Sequence, residues 1–179
     1  ILQGPGPRDQ PVRPRRASHR QRVFLDRRTP LALMKELLFL RHAKSSWEWS
    51  VDDRHRPLQP KGIKAITAVA QHWKKDFQVF ETIISSPANR ALHTATILAH
   101  EIGFPLSQLT IKTALYSFNS EDILRQVKQL DDRFSKIILV GHNPAFTYAA
   151  DYLSVKPVPE LKTADWISLT FAQSKWAEV

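Results

Sequence analysis

From Met34 onward the chain alternates short apolar runs with longer segments of helical periodicity, the pattern of βα units laid around a largely parallel sheet. The runs Glu36 to Arg41 (ELLFLR), Glu81 to Ser85 (ETIIS), Leu109 to Tyr116 and Lys136 to Val140 (KIILV) read as strands, KIILV most clearly. Asp165 to Phe171 (DWISLTF) reads as a last, antiparallel edge strand. The fold class expected is α/β, a three-layer α/β/α sandwich with a mostly parallel sheet.

The helices are marked by their ends as well as by their period. Pro60 suits a first helical position, and Ile63, Ile66, Val69, Ala70, Trp73 and Phe77 follow at the spacing of one buried face. Pro87 opens a second helix with Leu92, Ala95, Ala99 and Ile102 on its inner side, and Gly103 supplies the stop. Ser120 is expected to begin a capped third helix, with Glu121 and Asp122 in a first turn where the macrodipole favours them. Asn143 to Leu153 reads as a fourth. No internal repeat or linker divides this body, which is expected to be one domain over residues 34–179.

Residues 1–33 are of a different kind. They hold eight arginines, two aspartates and five of the twelve prolines, so +6 of the net +9 charge lies there and +3 in the body. With almost no aliphatic periodicity, this segment cannot offset its ordering entropy by burial, and disorder is expected. The first residue is isoleucine, and the single methionine is Met34. The segment is therefore read as foreign to the native protein, with an Arg-rich targeting peptide or a polyanion-binding arm as the alternatives. A nucleic-acid-binding function would rest on it alone. No apolar run approaches a membrane span, and the absence of cysteine removes disulfides, thiolate metal sites and cysteine nucleophiles. A cytoplasmic monomer is expected from the lack of a signal-peptide core and the modest charge of the body, with organelle targeting by residues 1–33 left open.

The chemistry lies at the carboxyl ends of the strands, where open α/β sheets form their sites. The first strand ends in Arg41-His42, the second runs through Ser85-Ser86-Pro87 to Arg90, and KIILV ends in Gly141-His142-Asn143-Pro144. Two arginines and two histidines thus converge near a helix N-terminus. Two cations about 4 Å apart repel by roughly 4 kcal/mol at an effective dielectric of 20, so the cluster calls for an anion. Arginine's planar fork matches phosphate oxygens, and neutral imidazole is a competent nucleophile toward phosphorus. The constellation suggests phosphoryl transfer through a phosphohistidine.

The segments RHAKSSW (41–47), SSPANRALHTA (85–95) and VGHNP (140–144), with Arg56-Pro57-Leu58 and Gly62 between the first two, resemble the histidine phosphatase (phosphoglycerate mutase-like) superfamily. The likeness is greatest to its small single-domain branch around the phosphohistidine phosphatase SixA. The resemblance implies that His42 is the phosphorylated nucleophile, that Arg41 and Arg90 clamp the phosphate, and that His142 is the remaining catalytic ligand. No metal or organic cofactor is implied, and the partner would be a phosphorylated substrate such as a phosphohistidine-bearing protein. Ser45 has two readings, a phosphate ligand or a helix cap. Trp47 and Trp49 either stack on a substrate ring or cover the polar loop. His72, His93 and His100 are read as solvated or packing residues.

Two departures matter. Ala43 follows His42 where the widespread motif has glycine. Larger members also place a carboxylate just past the third strand to protonate the leaving group, whereas here Leu115-Tyr116 is followed by Ser117. Without that acid, phosphohistidine and aryl phosphates should be favoured over sugar phosphates. Glu48, Asp52, Asp53 and Glu121 are the carboxylates that the sequence offers near the mouth of the site. A general small-molecule phosphomonoesterase and a non-catalytic phosphate-binding module are the alternative functions. The neighbouring arginines should lower the His42 pKa and carry activity into the acid range.

Overall fold

A computed structural model describes residues 18–22 and 34–179. Among the described residues six strands form one sheet: β1 (Ser18–Arg22), β2 (Lys35–Arg41), β3 (Thr82–Ser85), β4 (Leu109–Ile111), β5 (Lys136–Gly141) and β6 (Trp166–Phe171). Their spatial order is β1-β6-β2-β5-β3-β4. Among these six strands β2 and β6 pair antiparallel and the other pairings are parallel.

The central strand β2 is buried from Lys35 to Leu40, which explains its continuous apolar run. Alternate residues feed two separate cores. Leu37, Phe39, Ile137, Leu139, Ile167 and Leu169 meet the helices α4 (Ser120–Lys128) and α5 (Ala145–Leu153) on one face. Leu38, Leu40, Ile138, Val140 and Trp166 meet α1 (Pro60–His72), α2 (Lys74–Phe77) and α3 (Asn89–Ile102) on the other. The period of two along each strand thus produces the three layers expected.

Several local expectations are corrected. On α1 the buried line is Gly62, Ile66 and Ala70, while Ile63 is exposed. The cause is close packing at Gly62, where an added Cβ would stand 2.2 Å from the Lys44 carbonyl oxygen, and this turns Ile63 outward. The third strand stops at Ile111 and passes into a 3₁₀ turn over Thr113–Leu115. Its partner β3 ends at Ser85, so no backbone remains to pair with a longer strand. By contrast α4 begins at Ser120 as expected, capped by Asn119, whose side chain accepts from the Glu121 amide at 2.9 Å.

The last strand is antiparallel to β2 as expected, but it is not the edge, because Ser18–Arg22 pair with it as β1. The disorder expected for residues 1–33 therefore does not extend to this stretch. Strand addition uses main-chain donors and acceptors, so it needs no apolar periodicity in the added segment. The rest of that segment, with the readings placed on it, lies outside the described residues. Among the described residues no helix is long and apolar enough to cross a membrane.

Candidate active site

The parallel strands β2 and β5 are in register, with Arg41 opposite Gly141, so His42 and His142 leave the sheet side by side. Their ring centroids are 5.2 Å apart. Gly141 is required by packing rather than by access of a ligand, since an added Cβ would lie 2.4 Å from the Phe146 ring. The end of β2 is further tied by Ala164, which adopts a positive φ of 64° and directs its amide at the Arg41 and His42 carbonyls.

The His42 ring is oriented by its own loop. Nδ1 lies 2.8 Å from the Ala43 carbonyl oxygen, an acceptor that places the proton of the neutral imidazole on Nδ1. Nε2 consequently carries the free lone pair, and Arg90 Nε donates to it at 3.2 Å. Burial first, with the Arg90, Arg41 and Arg56 charges after it, lowers the His42 pKa to about 4 against the opposing hydrogen bond to Ala43. The shift has the direction expected from the arginines, but its largest cause is desolvation.

His142 is fully buried, and burial followed by the His42 and Arg90 charges lowers its pKa to about 3. Ser86 Oγ stands 2.7 Å from His142 Nε2 and also receives the Ala88 amide at 3.3 Å. His142 Nδ1 and Arg41 Nε are buried without a hydrogen-bond partner among the described residues. Arg41 is otherwise anchored by Nη1, which donates to the Leu161 carbonyl at 2.7 Å. Tyr116 and Phe118 wall the site, with ring centroids 5.4 and 5.6 Å from His142.

The polar loop after His42 contributes a carboxylate. Asp53 accepts from Arg90 Nη2 at 2.7 Å, Arg56 Nη1 at 2.8 Å and the Tyr116 hydroxyl at 2.8 Å, and its own carbonyl accepts from Arg90 Nη1. Burial alone would raise its pKa, but the bonds from Tyr116, Arg90 and Arg56 outweigh that and hold it well below the carboxylate range. Of the four carboxylates named from sequence, Asp53 is the one bonded to the cluster; Glu48, Asp52 and Glu121 are exposed.

Ser45 lies in the same loop. Its hydroxyl accepts from Arg56 Nη2 at 2.6 Å and it bridges Leu58 through the backbone, so it supports Arg56 and caps no helix. Trp47 lies over the Arg56 guanidinium with the ring centroid 3.1 Å away, and Trp49 is exposed. His72 packs edge-on against Trp73, and His93 and His100 are exposed. Thus Arg41, His42, Arg90 and His142 come together, while Ser45 reaches them only through Arg56. Asp53, Arg56, Ser86, Thr94 and Tyr116 complete the arrangement; Thr94 Oγ1 accepts from the Ala43 amide at 3.0 Å and donates to the Arg90 carbonyl at 2.6 Å.

Residues 37–116, which hold this loop, both arginines and the first histidine, match the family model of the histidine phosphatase superfamily (branch 1). Over these residues the chain is similar to that superfamily. An uncharacterized chloroplastic protein of Arabidopsis thaliana is 28% identical over 156 residues, covering 82% of this chain and 71% of that one. Among solved structures, the protein histidine phosphatase SixA complexed with tungstate superposes with a TM-score of 0.63 at 19% identity, over 72% of this chain and 83% of that one. A phosphoglycerate mutase of Bacillus anthracis gives 0.64 at 14% identity, over 79% and 89%. These likenesses show a phosphoglycerate mutase-like fold, as the resemblance implied, and its α/β class is the one the alternating pattern implied.

Proposed function

We propose that this chain is a histidine phosphatase superfamily member, a metal-independent phosphatase that works through a phosphohistidine on His42. Its substrate is protein phosphohistidine or a small phosphate compound. The carrying observation is the fixed tautomer of His42, which presents Nε2 as a lone pair beside the Arg90 guanidinium. In the first step Nε2 attacks phosphorus, a P–N bond forms, and the bond to the leaving group breaks with its electron pair. In the second step water attacks the same phosphorus, the P–N bond breaks, and orthophosphate leaves with His42 restored. Arg41 and Arg90 supply cationic donors to the non-bridging oxygens. The unpartnered Nδ1 of His142 supplies another where charge grows in the transition state.

Asp53 is ionised by its partners and has no proton to give. This supports leaving groups that need little acid assistance, phosphohistidine and aryl phosphates before sugar phosphates. The same carboxylate favours the phosphomonoesterase as the second reading, because phosphate drawing Arg90 away would raise the proton affinity of Asp53. The test is phosphate release by the full chain and by His42→Ala, with chelator present, on a phosphohistidine peptide, an aryl phosphate and a sugar phosphate. Turnover in that order, abolished in the variant, is the expected result. Equal turnover of the sugar phosphate would select the monoesterase, and no turnover would overturn both.

A further inference from the structure

Arg90 spends its donors in an unexpected way. Its side chain is 2% exposed, so it has little water to turn to, and three of its nitrogens are engaged. Nε donates to the lone pair of His42 Nε2, Nη1 to the Asp53 carbonyl and Nη2 to the Asp53 carboxylate. One arginine therefore covers the nucleophile and is held there by an anion of the protein's own. The anion is itself fastened, through Arg56 and the Tyr116 hydroxyl.

An incoming phosphoryl group has to meet Nε2 of His42 and to receive the Arg90 fork. Both are the groups that this arrangement occupies. Phosphate and carboxylate are alike as acceptors for a guanidinium, and both form charge-assisted bonds with it. A phosphoryl group that displaces Asp53 from Arg90 gains only the difference between the two. We infer that Asp53 is an internal competitor for the phosphate clamp: it holds Arg90 across the nucleophile, and substrate binds by taking Arg90 from it. This rests on the phosphatase reading for the identity of the incoming anion, and it adds a residue that sets affinity through Arg90. The position of Asp53 favours such an exchange. It begins a short 3₁₀ turn (Asp53–His55) in the irregular loop between β2 and α1, and its side chain is 39% exposed, so it has water to move into.

A carboxylate that only orients Arg90 would give the opposite sign on removal, and this makes the proposal decidable. The probe is inorganic phosphate, titrated calorimetrically into the full chain, into Asp53→Asn and into Tyr116→Phe, with Arg90→Ala as the reference for loss of the clamp. Asp53→Asn removes the competing charge and keeps the size, and phosphate should bind at least about tenfold more tightly. Tyr116→Phe removes one fastening and should tighten binding by a smaller factor; it carries the test if Asp53→Asn does not fold. Unchanged or weaker binding in the folded variants overturns the proposal. Turnover of an aryl phosphate, measured in parallel, keeps the two readings apart. His42-dependent turnover without tightening sinks the competitor and leaves the phosphatase standing, whereas tightening without turnover does the reverse.

Discussion

The Ser86 hydroxyl stands 2.7 Å from Nε2 of His142, and this contact decides which nitrogen of His142 faces a substrate. Ser86 Oγ accepts the Ala88 amide and keeps its own hydrogen to give; where Nε2 accepts that hydrogen, the imidazole proton is on Nδ1, which has no other partner among the described residues. Ser86→Ala leaves a buried nitrogen unpaired and lets the tautomer drift. One such hydrogen bond corresponds to about 1.4 kcal/mol, so kcat/KM on an aryl phosphate should fall roughly tenfold or more. Steady-state kinetics check this; an unchanged value would remove Ser86 from the argument.

Both histidines titrate far below their ordinary value, to about 4 for His42 and about 3 for His142. Their ¹H-¹⁵N imidazole signals should report neutral rings throughout the range in which a free histidine charges, near pH 6.5. The sign for stability follows. Because the unfolded chain binds these protons first, stability contributed by the two neutral rings is present above pH 6.5 and is lost as the pH falls toward 4. Urea midpoints should therefore drop steeply over that interval, and less in His142→Phe. Flat midpoints between pH 6.5 and 4.5 would contradict the burial of these rings.

Gly62 is the point at which α1 touches the loop behind His42. A methyl group there would meet the Lys44 carbonyl oxygen, carbon and nitrogen, all backbone atoms that cannot rotate away. Gly62→Ala should destabilise the chain by about 1–3 kcal/mol, although alanine is the better helix former by about 1 kcal/mol. Thermal unfolding monitored by circular dichroism measures it, and a stabilised variant would show that this approach is loose.

How much of this was legible in the sequence depends on distance along the chain. The strands β2 and β5, the quartet Arg41, His42, Arg90 and His142, and the stop at Gly103 are written in local patterns. Ser86 and Thr94 lie inside a segment that carries the family resemblance, yet their tasks depend on what faces them across the fold, His142 56 residues away and Ala43 51 away. Asp53 could be named only as one of four carboxylates. Its selection comes from the bridge between Ser45 and Leu58, which closes the loop and brings Asp53 to Arg90. The partner of Ser45 was hidden for the same reason, since a serine beside a nucleophile is equally suited to phosphate or to an arginine, and the bond to Arg56 depends on how the loop closes. The strand over Ser18–Arg22 was invisible because main-chain pairing leaves no side-chain period to read.

Thr94 ties the nucleophile's loop to the helix of the phosphate clamp, and this coupling gives the last prediction. Its Oγ1 accepts the Ala43 amide, and Ala43 is fully buried, so Thr94→Val leaves that amide without a partner and without access to water. The cost of an orphaned buried donor is about 1–3 kcal/mol, or roughly 3–10 °C in Tm for a domain of this size. The same residue offers, from its next peptide unit, the carbonyl that fixes Nδ1 of His42, so a tilt of Ala43 also turns the attacking nitrogen. Valine matches threonine in shape, hence any loss is assigned to the hydrogen bond rather than to packing. The expected pattern is a lowered Tm together with a kcat that falls more than KM rises, and recovery of both in Thr94→Ser, which keeps the hydroxyl. A drop in Tm with kcat untouched would confine Thr94 to stability and break the link between the two motifs.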